Sequence, residues 1–212
     1  MFSFMQSRVP RTNTASQTTL KFEDGRSRIA FNAPGSHYLL TNVLPPGGTF
    51  CAPPLHIHMF QTEYFRVISG VGSFYLRPTA SDSGQKMVTQ GESITIPPRA
   101  YHNFENGSKT EDLVLELRLD PQRWEAEESF FRNFFGYLED CRKAGKAPSL
   151  FQLMRFLYEN DTALAIPMPR RLQETVGFWL NRGLVFVGGV IIGEWLLGYK
   201  GAYSEYYRRR TQ

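Results

Sequence analysis

The sequence predicts a mainly β fold, a small barrel or sandwich of short strands, extended toward its C-terminal end by helices. Three observations carry this expectation. Between residues 25 and 120, short β-prone runs are interrupted at intervals by Gly and Pro turns. In one run Leu113, Leu115, Leu117 and Leu119 alternate with Val114, Glu116 and Arg118, which puts one set inside and the other out. After Asp120 the apolar residues recur at helical spacing instead.

Taken in order, residues 1–24 are rich in Ser, Thr, Gln and Arg and show no apolar period. They read as a flexible arm, in which Thr18 to Phe22 could add an edge strand. Residues 25–120 hold the barrel. Its expected strands are Ile29 to Phe31, Tyr38 to Val43, Glu63 to Ser69, Ser73 to Arg77, Lys86 to Thr89, Ser93 to Ile96 and Leu113 to Leu119. The breakers between them include Pro45-Pro46-Gly47-Gly48, Gly70, Ser83-Gly84, Gly91, Pro97-Pro98 and Asn106-Gly107.

Residues 121–212 form the helical extension. Pro121 can open a helix in which Trp124, Phe131, Phe134, Phe135 and Leu138 share a face. Phe151, Met154, Leu157 and Tyr158 mark a second helix after Ser149. Pro167 and Pro169 punctuate, and a third segment runs from Leu172 to about Tyr199. These aromatic stripes read as core or interface, the usual fate of an apolar helix face.

The chain has 212 residues, enough for one sizeable domain with added elements. Its 42% apolar content excludes a disordered chain. The net charge of +4 gathers at the ends, in Arg8, Arg11, Arg208, Arg209 and Arg210, and no lysine-rich surface interleaved with aromatics argues for nucleic acid. Cys51 and Cys141 have no zinc-type or CxxC spacing, and Met1 to Met5 is too short for a signal sequence. The expected compartment is the reducing cytoplasm.

The chemistry concentrates in two stretches. In His56-Ile-His58, two imidazoles two apart on a strand share a face, and Glu63 follows a short bend that can aim it back at them. Further on, Gly91 to Ile96 and a Pro97-Pro98 turn lead to His102 on the following strand. Imidazole with carboxylate suits Fe, Mn, Ni, Cu or Zn rather than Ca or Mg. The chain has only four histidines, and His37 alone lies outside this set. No GxSxG, P-loop or GxGxxG competes, and Gly70-Val-Gly72 needs no more than a hairpin turn to explain it.

These stretches resemble the two motifs of the cupin superfamily. His56, His58, Glu63 and Gly70 match the first; Gly91, Pro97, His102 and Asn106 match the second. Arg99 stands where the second motif usually has glycine, and Gly48 lies slightly upstream of the glycine that opens the first. The resemblance covers about residues 35–119. It implies a single jelly-roll barrel in which His56, His58, Glu63 and His102 hold a divalent transition metal, foremost Fe(II), with Mn, Ni, Cu and Zn also suited. Four ligands on an octahedral ion leave two positions for a substrate or dioxygen.

The resemblance further implies a stand-alone oxidoreductase of dioxygenase type, tailoring a small organic molecule in secondary metabolism. Two alternatives stay open: an isomerase, dehydratase or cyclase using the ion as Lewis acid, and a non-enzymatic small-molecule-binding protein. By strand parity, Phe60, Phe65 and Phe104 are expected to line an apolar pocket with Tyr75 among its polar members. Tyr64 and Gln61 are the expected catalytic side chains, with Arg66 and Tyr101 as further polar candidates.

The third helical segment contains Gly183 to Gly193, eleven residues without a charge between Arg182 and Glu194. That run is shorter than the ~20 residues of a membrane span. A buried helix packing through Gly189 and Gly193 is therefore expected ahead of a span or a membrane-surface helix. The apolar helices also offer a surface for a homodimer.

Overall fold

The structure is a computed structural model that describes residues 9–77, 84–165 and 172–209. The Pro167 and Pro169 break, Ser83, Arg8 and Arg210 lie outside the described residues. The chain divides into two compact units, one of residues 18–124 with 164–175, the other of residues 1–17, 125–163 and 176–212.

The first unit is the expected β fold. Its strands are β1 (Thr19–Phe22), β2 (Ser27–Phe31), β3 (Leu40–Leu44), β4 (His56–His58), β5 (Thr62–Ser69), β6 (Val71–Arg77), β7 (Gln85–Thr89), β8 (Ser93–Ile96), β9 (Tyr101–Asn106) and β10 (Leu113–Asp120). One sheet has the order β1-β2-β3-β10-β5-β8, and the other runs β4-β9-β6-β7. The pairs are antiparallel. Ala165 extends the second sheet at its β4 side by donating its N–H to the carbonyl of Leu55.

The alternation read in β10 is the alternation found. Leu113, Leu115, Leu117 and Leu119 are buried, while Val114, Glu116 and Arg118 are half-exposed. On that outer face Arg66 pairs with Glu116 at 2.6 Å, and the Arg118 guanidinium lies 4.0 Å from the Tyr64 ring centre. Inward-facing Leu115 and Leu117 stand beside Val67 and Phe65 of β5 and Asn42 and Leu40 of β3. The leucines, Val67 and Phe65 fill the space between the sheets with apolar side chains, and Asn42 is a buried polar residue among them. Gly70 makes the β5–β6 turn at φ +80°, and a Cβ there would strike the carbonyl oxygen of Asp112.

The second unit contains α1 (Trp124–Lys143), of which all but Trp124 belongs to it, α2 (Leu150–Glu159), and a third helix, α3 (Phe178–Val185). The third helix continues through wider π turns over Phe186–Leu196. Of the expected stripe Phe135 is buried, while Trp124, Phe131, Phe134 and Leu138 are half-buried; Phe130, outside the stripe, is buried as well. Gly189 and Gly193 lie against the α2 backbone. Added Cβ atoms would stand 2.7 Å from Met154 and 2.9 Å from the Phe151 carbonyl oxygen. The glycine face is thus the packing face, as the GxxxG spacing suggested.

The edge strand expected over Thr18 to Phe22 forms as β1, Thr19–Phe22. The rest of the described arm differs from the expectation of a flexible segment, since residues 9–17 belong to the helical unit. Thr12 donates its N–H and hydroxyl to the two Asp140 carboxylate oxygens, at 2.8 and 2.6 Å. The Gln17 carbonyl accepts from buried Arg132, which also pairs with Glu128. Polarity that reads as solvation in a local window here satisfies buried charges on α1.

Candidate metal centre

Three strands from two sheets build the site. His56 and His58 are the two ends of β4, where the pleat turns both toward one face. His56 stands directly opposite His102 of β9. Glu63 enters from β5 of the other sheet, flanked by Ile96 of β8 and Leu119 of β10. All four side chains are buried, and one ligand atom from each can be chosen so that all lie within 4.8 Å of one another.

The donor atoms fit a metal ion. Nδ1 of His56 lies 2.9 Å from the Pro54 carbonyl oxygen, and Nδ1 of His102 lies 2.9 Å from that of Ala100. A carbonyl can only accept, so each Nδ1 carries the proton and the lone pair of a neutral ring sits on Nε2. This is the backbone support by which proteins fix the tautomer of a ligating histidine. Nε2 of His102 lies 2.9 Å from Oε2 of Glu63, and Nε2 of His58 lies 3.6 Å from the same oxygen. A neutral His102 would then set two acceptors face to face, so the contact needs a positive charge, either a proton or a cation. With bonds of ~2.1 Å, neighbouring ligands on one ion lie about 3 to 3.5 Å apart, close to both separations.

Electrostatics point the same way. Burial, followed by neighbouring His102 and His58, pushes His56 well below the ordinary histidine range. Burial by itself would raise the Glu63 carboxyl, but His58 and His102 together hold it below the usual carboxylate range. A neutral imidazole and an ionised carboxylate are the forms that coordinate.

Of the expected pocket residues, the fold brings two to the ligands' side. Phe65 follows Glu63 by two on β5, and Phe104 follows His102 by two on β9. Their ring centres are 4.8 Å apart, and Phe74 closes a cluster with them at 5.1 and 5.4 Å. Tyr64 and Tyr75 take the outer face, and Phe60 is 61% exposed. Tyr64, next to inward Glu63, takes the opposite face and stacks with Arg118. Tyr75 stands opposite Asn103 on the outer face, and its hydroxyl donates to Glu105 at 2.8 Å.

Gln61 is buried, but its amide is taken up by one backbone carbonyl and one arginine side chain. Its Nε2 donates to the Pro121 carbonyl at 2.7 Å, and its Oε1 accepts from Arg123 at 3.0 Å. Tyr101 is buried beside His102 in sequence, which puts it on the other face, and Arg66 faces outward to Glu116. Residues not anticipated from sequence are Phe74, Ile96 and Leu119, together with Leu76, which lies directly across from His102. Only the register between strands reveals them.

The sequence profile of the cupin domain matches residues 42–118, a stretch that contains all four ligands. The protein named "Probable oxidoreductase virH" of Hypocrea virens is 38% identical over 193 residues, 89% of this chain and 80% of that protein. "Oxidoreductase iacF" of Pestalotiopsis fici is 33% identical over 146 residues, covering 66% of this chain and 69% of its own length. An oxidoreductase of Arthrobotrys oligospora is 29% identical over 158 residues, covering 73% of this chain and 59% of its own length.

Proposed function

The chain belongs to the cupin family, and on that footing we propose that it is a metal-dependent oxidoreductase that oxidises a small organic molecule with dioxygen. The observation that carries the reading is the buried group His56, His58, Glu63 and His102, whose donor atoms converge from both sheets. The curated relatives named oxidoreductases favour a redox role over a purely Lewis-acid one. Among the metals that suit three imidazoles and a carboxylate, we propose Fe(II).

A bound divalent transition metal supplies an electrophilic centre and, if redox-active, a route for electrons from substrate to dioxygen. The rest falls to the protein. His56 and His102 are held in their ligating tautomer by the Pro54 and Ala100 carbonyls. Glu63 lowers the net charge of the site by one. Phe65, Phe74 and Phe104, in mutual contact, form an apolar cluster on the same faces of β5 and β9 as Glu63 and His102. An apolar, aromatic interior of this kind selects an aromatic or polyketide-like molecule over a sugar phosphate, as expected of a tailoring enzyme in small-molecule biosynthesis.

The test is turnover of a panel of such molecules by the Fe(II)-loaded enzyme under isotopically heavy dioxygen. The expected result is oxygen uptake matched to product formation and abolished in His102→Ala. Turnover that persists without dioxygen would replace this reading with Lewis-acid isomerisation or dehydration.

A further inference from the structure

We propose that the outer face of the helix over Val176–Leu196 docks on an anionic lipid bilayer, lying in its surface rather than crossing it. By length and composition, Thr175–Leu196 could cross a membrane, yet a third of its most apolar window is buried in the protein. That buried face is the glycine face, in which Gly188 meets the Met154 side chain and Gly189 and Gly193 meet the α2 backbone. Crossing a membrane would require this helix to leave α2. Lying on the surface requires no change in packing.

The opposite face is apolar along its length. Val176, Trp179, Leu180, Leu184, Val187 and Trp195 are all exposed, and a Cβ added at Gly183 would meet only open space. Single exposed hydrophobic residues are ordinary, but a continuous stripe of this kind is a docking surface. Trp179 and Trp195, 67% and 63% exposed, are the most exposed large apolar residues of the helix and bracket the stripe. Tryptophan prefers the headgroup boundary, where its ring is half in hydrocarbon and half in water.

The charges within the segment are neutralised by the protein. Arg182 lies 3.8 Å from Asp161 and 4.2 Å from the Tyr158 ring centre, and Glu194 pairs with Arg155 at 2.6 Å. The flanks are net basic in sequence, with Arg170, Arg171 and Glu174 before the stripe and Lys200 after it. A two-fold pair of copies joined along this stripe, parallel or antiparallel, would bring basic flanks against basic flanks. An anionic bilayer complements both ends. Charge therefore favours lipid over a second copy as the occupant.

The test is flotation of the metal-loaded, full-length protein with phosphatidylcholine vesicles containing about 30% phosphatidylserine, against vesicles of phosphatidylcholine alone. Exposed side chains are substituted in the Trp179→Ser/Trp195→Ser double variant and in Leu184→Lys, with circular dichroism and metal content as controls for folding. Wild type is expected to float with the anionic vesicles, less with the neutral ones, and to be released by alkaline carbonate. The double variant should bind at least about tenfold more weakly, since each ring loses the burial of a large apolar side chain. The proposal is overturned if wild type does not float, if the variants float equally well, or if carbonate fails to release the protein, as for a spanning helix. It is equally overturned by a dimer that Leu184→Lys dissociates while vesicles bind neither form, because a second copy is then the occupant.

Discussion

Asn106 matches the last residue of the second motif, yet it lies at the far end of β9 from His102 and touches no ligand. Its amide nitrogen donates to the carbonyls of Leu44, at 2.9 Å, and Glu111, at 2.7 Å, and its oxygen accepts from the Ser108 N–H at 2.8 Å. One side chain thereby joins β9 in one sheet to β3 in the other and closes the loop that leads to β10. Asn106→Ala removes all three bonds and leaves two carbonyls and one N–H to find water. At about 1 kcal/mol net per bond, the loss is about 3 kcal/mol. For a chain of this size that is a fall of about 6–12 °C in Tm. Asn106→Asp should be worse still, because it keeps the acceptor for Ser108 but sets a carboxylate against two carbonyl oxygens. Thermal unfolding followed by near-ultraviolet circular dichroism gives the shift, and metal content at 25 °C should stay unchanged in both variants. A fall below about 2 °C in the alanine variant, less than one hydrogen bond is worth, would refute the architectural role assigned to Asn106. Loss of metal from a variant that remains folded would show that Asn106 shapes the site.

Two further substitutions separate chemistry from architecture. Tyr64→Phe keeps the ring beneath Arg118 and removes a hydroxyl on the face turned away from the metal ligands, so kcat/KM should stay within about twofold. A tenfold loss in a fully metallated variant would return Tyr64 to a catalytic role. Gly70→Ala forces a side chain into a left-handed turn at φ +80° and against the Asp112 carbonyl. It should cost about 2–5 kcal/mol in urea unfolding, and a cost below 1 kcal/mol would mean that the loop yields easily.

The sequence reveals most where the signal is local and the residue types are rare. Three of the chain's four histidines fall at motif spacing, and the Leu113–Leu119 alternation states its own facing. The misplaced residues fail for separate reasons. Tyr64 is excluded by the same period of two that places Glu63 inside, so the signal against it lies in the sequence. Tyr75 needs the pairing of β6 with β9, which only the folded sheet supplies, and the same pairing reveals Leu76 across from His102. Gln61 is buried as expected of a site residue, but Pro121 and Arg123, some sixty residues on, take up its amide. The ordered arm depends on Asp140 and Arg132, more than a hundred residues away. No local window contains either partner.

The measurement that tests the central claim most directly is transition-metal stoichiometry by mass spectrometry, on wild type and on a Glu63→Ala/His102→Ala variant purified identically. The expected result is roughly one ion per wild-type chain and almost none in the variant, since four donors on one site hold a single ion. Wild type that takes up no stoichiometric transition metal even when reconstituted, or a folded variant that retains it in full, would contradict the assignment of His56, His58, Glu63 and His102 as a metal site.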